Sequence, residues 1–280
     1  VPDIAGAASL FAGIALLVWF VRRCLMRSKP LIDLKLFRQR PFAGGVITAL
    51  CCMFGLSAQL FLVSQWLQLV NGSDPLQAGL LLTPSGVASV IAGMATSSLA
   101  IKPGAKLVML GGVFLVFLGM LAPVPFFADL NLWVMLAATV LAGLGTGALA
   151  VGTAVIMGAT PREKASSGGA CEEVAYDLGN MLGVAFLGSI ASMAYRMGLN
   201  ADTLLAAGLD EASVDTAAQS LGAAAEIAQE TGVAELLAEG VAAFDSGFII
   251  ASAAGALIIL LAMFIIARFI PRGLQIAEEE

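Results

Sequence analysis

The sequence predicts an all-α, polytopic membrane protein of about seven membrane-crossing helices, and three observations carry that expectation. First, 59% of the 280 residues are hydrophobic and only 12% are charged, with a mean hydropathy of +0.95. Soluble domains average about 45–50% apolar and about 25% charged. Second, several runs reach the roughly 18–20 apolar residues needed to cross a bilayer core of about 30 Å. Third, 13 of the 14 basic residues fall on alternate connections between those runs, the bias that marks a cytoplasmic face.

The spans read along the chain are 4–21, 43–71, 76–100, 106–126, 131–158, 163–195 and 246–269. After the first comes RRCLMRSKPLIDLKLFRQR, with Arg22, Arg23, Arg27, Lys29, Lys35, Arg38 and Arg40. By alternation Lys102, Lys106, Arg162, Lys164, Arg268 and Arg272 share its side, and only Arg196 does not. The N-terminus is therefore expected outside, with the C-terminus and its 270–280 tail in the cytoplasm.

The second span contains MFGLSAQLFLVSQWLQLV. Trp66 reads as an aromatic-belt residue, while Gln59, Phe61 and Gln65 would suit a cavity wall that meets a lipophilic cation through amides and aromatic faces. The third and sixth spans open on Asp74-Pro75 and Thr160-Pro161, each a capping side chain before a proline at the first helical position. In the fifth, LAGLGTGALAVGTAVIMGA, Gly143 and Gly147 form a GxxxG pair that favours close helix approach. This is not a GxGxxG turn after a strand, so nucleotide binding is not expected from it.

The sixth span supplies the chemistry. Its stretch SSGGACEEVAYDLGN brings Glu172, Glu173 and Asp177 together in an otherwise oily run. With a helix over 163–195, Asp177 falls within about 3 Å of the midplane and Glu173 about 9 Å toward the cytoplasm. A carboxylate at such depth costs roughly 2.5–3.5 kcal/mol. Binding a proton reduces that cost, and a bound proton can be exchanged for a cationic ligand. Glu173 and Asp177 share one face at i, i+4 spacing, with Tyr176 and Asn180 beside them. Glu172 is turned about 100° away toward Gly168, Gly179 and Gly183. It reads as a secondary acid, anchored at the cytoplasmic end by Arg162 or Lys164.

Residues 197–245 carry nine acids and neither lysine nor arginine. Leu204, Leu205, Leu209, Leu221, Ile227, Leu236, Leu237 and Val241 predict one or two amphipathic helices punctuated by glycines. The segment reads as a solvated outer cap, or as an acidic vestibule that concentrates cations.

Several function classes are excluded. The chain has no histidine, the commonest general base and metal ligand. Cys24, Cys51, Cys52 and Cys171 show no zinc or redox spacing. No metal, cofactor or nucleic-acid partner is expected, and no paired nucleophile and base points to a membrane enzyme. The chain opens at Val1, without methionine or a basic leader, so a piece of a longer polypeptide is expected.

Four patterns resemble the 14-helix drug/proton antiporters of the major facilitator superfamily, in the branch that exports quaternary ammonium biocides and dyes. PLIDLKLFRQRPFAGG resembles the cytoplasmic approach to that family's ninth helix, and FLVSQWLQLVNGSDPLQAGLLLTPSG its ninth-to-tenth hairpin. GLGTGALAVGTAVIMGATPREKASSGGA resembles its twelfth helix, and EEVAYDLGNMLGVAFLGSIASMAYR its thirteenth. The resemblance implies the C-terminal half of such a protein in a bacterial inner membrane, with protons and lipophilic cationic drugs as cargo and the N-terminal half as its missing partner. It also implies that Glu173 and Asp177 serve proton coupling and cation recognition. LAIKPGAKL, at the equivalent loop position of this half, lacks the family's acid–arginine pattern. The alternative is a non-transporting structural or assembly subunit, in which Asp177→Asn would be silent for transport.

Overall fold

A bilayer offers the backbone no hydrogen-bonding partner, so an apolar run must satisfy its own amides, and the apolar runs are indeed helices in the computed structural model. The structure describes residues 4–26, 32–99, 104–127, 129–206 and 208–270. Arg27, Lys29, Lys102, Arg272 and the 271–280 part of the expected tail lie outside them. Among the described residues the regular elements are all helical, as the composition predicts. Among the described residues, six helical stretches are long and apolar enough to cross a membrane: Arg40–Leu69, Pro75–Thr96, Ala105–Phe126, Leu132–Gly158, Arg162–Gly198 and Glu235–Phe269. The run read as a first span lies in α1 (Ile4–Met26), a 23-residue helix whose apolar side chains are largely exposed.

The central helix is α2 (Arg40–Leu69), which packs against all the later spans. Around it stand α3 (Pro75–Leu99), α4 (Ala105–Leu121), and α5 (Leu132–Gly145) continued by α6 (Ala148–Gly158). The next span is α7 (Ala165–Leu182), joined to α8 (Gly188–Gly198) by a π-helical turn at Gly183–Leu187. The main core is large and apolar, with Leu62, Leu67, Met109, Met120, Met135 and Ile259 fully buried. The α5–α6 span reaches α3 through its glycine pair. A Cβ on Gly147 would come within 2.7–2.9 Å of Ala92, and one on Gly143 would collide with the Ser85 carbonyl.

Helix starts differ in a telling way. Asp74 accepts from the Gln77 N–H at 2.9 Å and Gln77 reaches back to the Asp74 N–H, a reciprocal cap on α3. Thr160 does not cap the helix that follows it. Its hydroxyl donates instead to the Ile156 carbonyl at 2.7 Å, one turn back, because Pro161 first leads into a short 3-10 turn at Arg162–Lys164.

The described residues of 197–245 fold into a cap with its own core. It comprises α9 (Ala201–Ala206), α10 (Glu211–Ala217), α11 (Leu221–Thr231) and the first turns of α12 (Ala234–Phe269). Leu204, Leu209, Val214, Leu221 and Leu236 bury together with Tyr195 of α8, whose hydroxyl donates to the Ala217 carbonyl at 3.0 Å. That packing explains why α12 starts at 234 rather than at 246. Burial of Leu236 and Ala243 carries the helix through Gly240 despite that residue's poor helix propensity.

Candidate functional site

The three acids of α7 are sorted by what the helix presses against. Gly179 and Gly183 bring α7 onto α2. A Cβ on Gly179 would meet Leu50 O, Met53 Cβ and Phe54 N within 3.1 Å, and one on Gly183 would collide with the Phe54 carbonyl. Glu172 lies on the packed side and is 6% exposed. Its Oε1 accepts from the Tyr176 hydroxyl at 2.6 Å and from the hydroxyl of Thr153 on α6. The expected anchor to Arg162 or Lys164 is therefore overturned. Lys164 pairs with Asp33 at 2.7 Å, and Arg162 is exposed. An acid buried this deeply needs hydrogen-bond donors, and the two hydroxyls supply them.

Glu173 and Asp177 are exposed on the opposite flank, next to Val174 and Met181. Among the described residues neither carboxylate has a hydrogen bond or an ion pair. Tyr176 and Asn180, read beside them as cavity lining, are half-buried and turned to other partners. Tyr176 serves Glu172, and Asn180 Oδ1 accepts from the Ser57 hydroxyl on α2.

The glutamines of α2 part company. Phe61 and Gln65 line a pocket of about 570 Å³, whose other walls include Ala185, Ser189, Ser192 and Arg196, with Ser220 and Leu221 from the cap above. Gln59 is not among the residues lining that pocket. It is 0% exposed in the core, and among the described residues neither amide atom has a hydrogen-bond partner there. Trp66 is not a belt residue either. It is 4% exposed, and its indole N–H donates to Asp245 Oδ1 of α12 at 3.0 Å. The sequence reading names Phe61 and Gln65 as cavity lining but none of the pocket's other walls, although Arg196 stands out as the single basic residue on its side of the chain. Along the exposed stripe the i, i+4 series Glu173, Asp177, Met181, Ala185 ends in the pocket wall. Ala185 lies about 12 Å beyond Asp177 along the axis, with the π-helical turn resetting the helix register in between.

At the other end of α7 the polar contacts form a closed set. The Asp33 N–H donates to Ser167 Oγ at 2.6 Å, and its carboxylate accepts from Lys164 at 2.7 Å and from the Lys35 N–H at 3.0 Å. The Lys164 ammonium, aided by that amide, holds the Asp33 carboxyl below the usual carboxylate range against the opposing effect of burial.

Comparison with known proteins is consistent with this geometry. The family described as Major Facilitator Superfamily matches residues 45–209. The chain is 34% identical over 266 residues to the multidrug efflux pump LfrA of Mycolicibacterium smegmatis, covering 94% of this chain and 52% of the relative. It is 34% identical over 260 residues to the methyl viologen resistance protein SmvA of Salmonella typhimurium, covering 91% and 52%. With the tetracenomycin C resistance and export protein of Streptomyces glaucescens it shares 32% over 199 residues, 70% of this chain and 35% of the relative. The chain thus spans about half the length of LfrA and SmvA.

Proposed function

The chain belongs to the major facilitator superfamily, a family of transporters rather than enzymes, and from that premise we propose that it forms the C-terminal half of a proton-coupled exporter of lipophilic cations. The names of its relatives, a multidrug efflux pump, a methyl viologen resistance protein and a tetracenomycin C resistance and export protein among them, support export of drugs and organic cations. The observation that carries the reading is the exposed, unpartnered pair Glu173 and Asp177 on a helix whose third acid is tied into the core.

In transporters built from two repeats the substrate site lies near the midplane between them. An acid that faces a partner half can hold a proton in one state and a cation in the other. Protonation of Asp177, shared with Glu173, would then compete with the cation, and the two halves would rock with that exchange. Ligands can bias such rocking only through their differential affinity for its states. The pocket lined by Phe61 and Gln65, about 12 Å farther along the same stripe, would meet the cation on its way out. The setting we assign is the bacterial inner membrane, with the 22–40 and 162–164 segments on the cytoplasmic side.

The test is ethidium/proton exchange in everted vesicles carrying the natural polypeptide, with Asp177→Asn compared at equal expression and proven folding. Exchange is expected to collapse. Undiminished exchange in the folded variant would make Asp177 structural and leave the proton to another group.

A further inference from the structure

Half of the chain's basic residues, seven of 14, lie between positions 22 and 40. Lys106 and Lys164, which fall on the same side, are each engaged by partners within the protein. Lys106 donates to the Ala267 and Ile270 carbonyls at 2.6 and 2.7 Å, and Lys164 pairs with Asp33. Arg22 and Arg23 differ. Both are exposed, and among the described residues no carboxylate pairs with either. The Arg23 guanidinium lies 5.2 Å from the centre of the Trp19 ring, one turn earlier on α1. Trp19, Arg22, Arg23 and Met26 line a surface groove of about 410 Å³. Cys24, between exposed neighbours, is buried with Ile32, Leu36 and Phe42. This end of α1 therefore borders the start of α2.

We propose that Trp19, Arg22 and Arg23 bind the headgroup of an anionic phospholipid. Three physical features converge. A tryptophan in the last two turns of an apolar helix sits at headgroup level. Stacking on the indole face orients a guanidinium while leaving its N–H fork free for a phosphate. Toward the bilayer core the same helix exposes Leu16, Leu17 and Phe20, a surface for the acyl chains below that headgroup. The second guanidinium selects among lipids. It repels the ammonium of a zwitterionic headgroup and attracts one with net negative charge, and Arg38 and Arg40, both exposed, add to the same field. The inference requires only that α1 meets the bilayer, so it stands apart from the transport reading.

The test uses the natural polypeptide in detergent, with binding of phosphatidylglycerol titrated by thermal shift and retained lipid counted by native mass spectrometry. Phosphatidylglycerol should raise the melting temperature, while phosphatidylcholine and inorganic phosphate at equal concentration should not. Arg22→Gln with Arg23→Gln should keep the melting point in detergent alone and lose phosphatidylglycerol affinity by roughly 30-fold. Trp19→Leu should lose part of it, and Arg162→Gln, an exposed arginine elsewhere, none. The proposal fails if phosphatidylcholine stabilises equally or if the double variant retains full affinity. It also fails if Arg162→Gln weakens binding as much, which would reduce the site to diffuse charge, or if other parts of the polypeptide cover the groove and no lipid binds.

Discussion

Glu172 and Glu173 are joined by a single peptide bond, yet one is 6% exposed with two hydroxyls donating to it, while the other stands unpartnered on the open flank of α7. A rotation of about 100° per residue makes the difference. On one side of α7 the glycines at 179 and 183 draw α2 close and bury whatever shares their face. On the other, no described element of this chain covers the helix at Glu173 and Asp177. An acid's depth in the bilayer thus says little about its role until its face is known. The packed face turns a carboxylate into part of the scaffold, and the open face leaves it free to exchange ligands.

The comparison breaks most completely if the packing that defines the inner face is removed. Gly183→Leu would drive a side chain into the Phe54 backbone, which cannot yield as a flexible side chain can. We expect a loss of about 3 kcal/mol or more, at the upper end of overpacking costs, seen as a failure to yield folded protein in detergent. A variant that purifies with an unchanged melting point would show that α7 does not depend on this contact. A finer probe is the acid pair itself. Glu172→Ala removes the carboxylate that accepts from the Tyr176 and Thr153 hydroxyls and should cost about 1–3 kcal/mol, with Glu172→Gln, which keeps an acceptor, costing less. Glu173→Ala should change stability by about 0.5 kcal/mol or less. Equal melting temperatures for the two alanine variants would erase the distinction between the faces.

Much of this was legible in the sequence, for identifiable reasons. Hydropathy and the basic bias predict a polytopic helical chain because the bilayer imposes both. The division of α7 into two faces follows from helical spacing and the glycine stripe. The partners on other elements were not legible. Thr153 reaches Glu172 from α6, and Asp245 reaches Trp66 from 179 positions away, and neither contact leaves a local trace. Gln59 was misread because α2 is apolar nearly all round, so no stripe in its sequence tells a cavity wall from the core. The early start of α12 was hidden because tertiary burial of Leu236 outweighs a glycine's local preference.

The smallest expected effect concerns the end of the inner face, where Asp33 bridges Lys164 and Ser167. Here the same face that holds Glu172 meets the solvent-accessible junction, and Lys164 is 46% exposed. The pair should therefore contribute no more than about 1 kcal/mol, the range for exposed ion pairs. Its sign with pH is fixed by linkage. The folded protein holds the Asp33 carboxyl below its ordinary value, so the contribution is fully present above the unfolded value, near pH 4, and is lost as pH falls through the folded one. Asp33→Asn should melt slightly lower than wild type at pH 7, and the gap should close as both are titrated into acid below about pH 4. A gap that stays constant across that range would rule out the ionised pair as its source, because asparagine keeps both the backbone N–H that donates to Ser167 and an Oδ1 for the Lys35 N–H. The charge on Lys164 would then add nothing to the seam between α2 and α7.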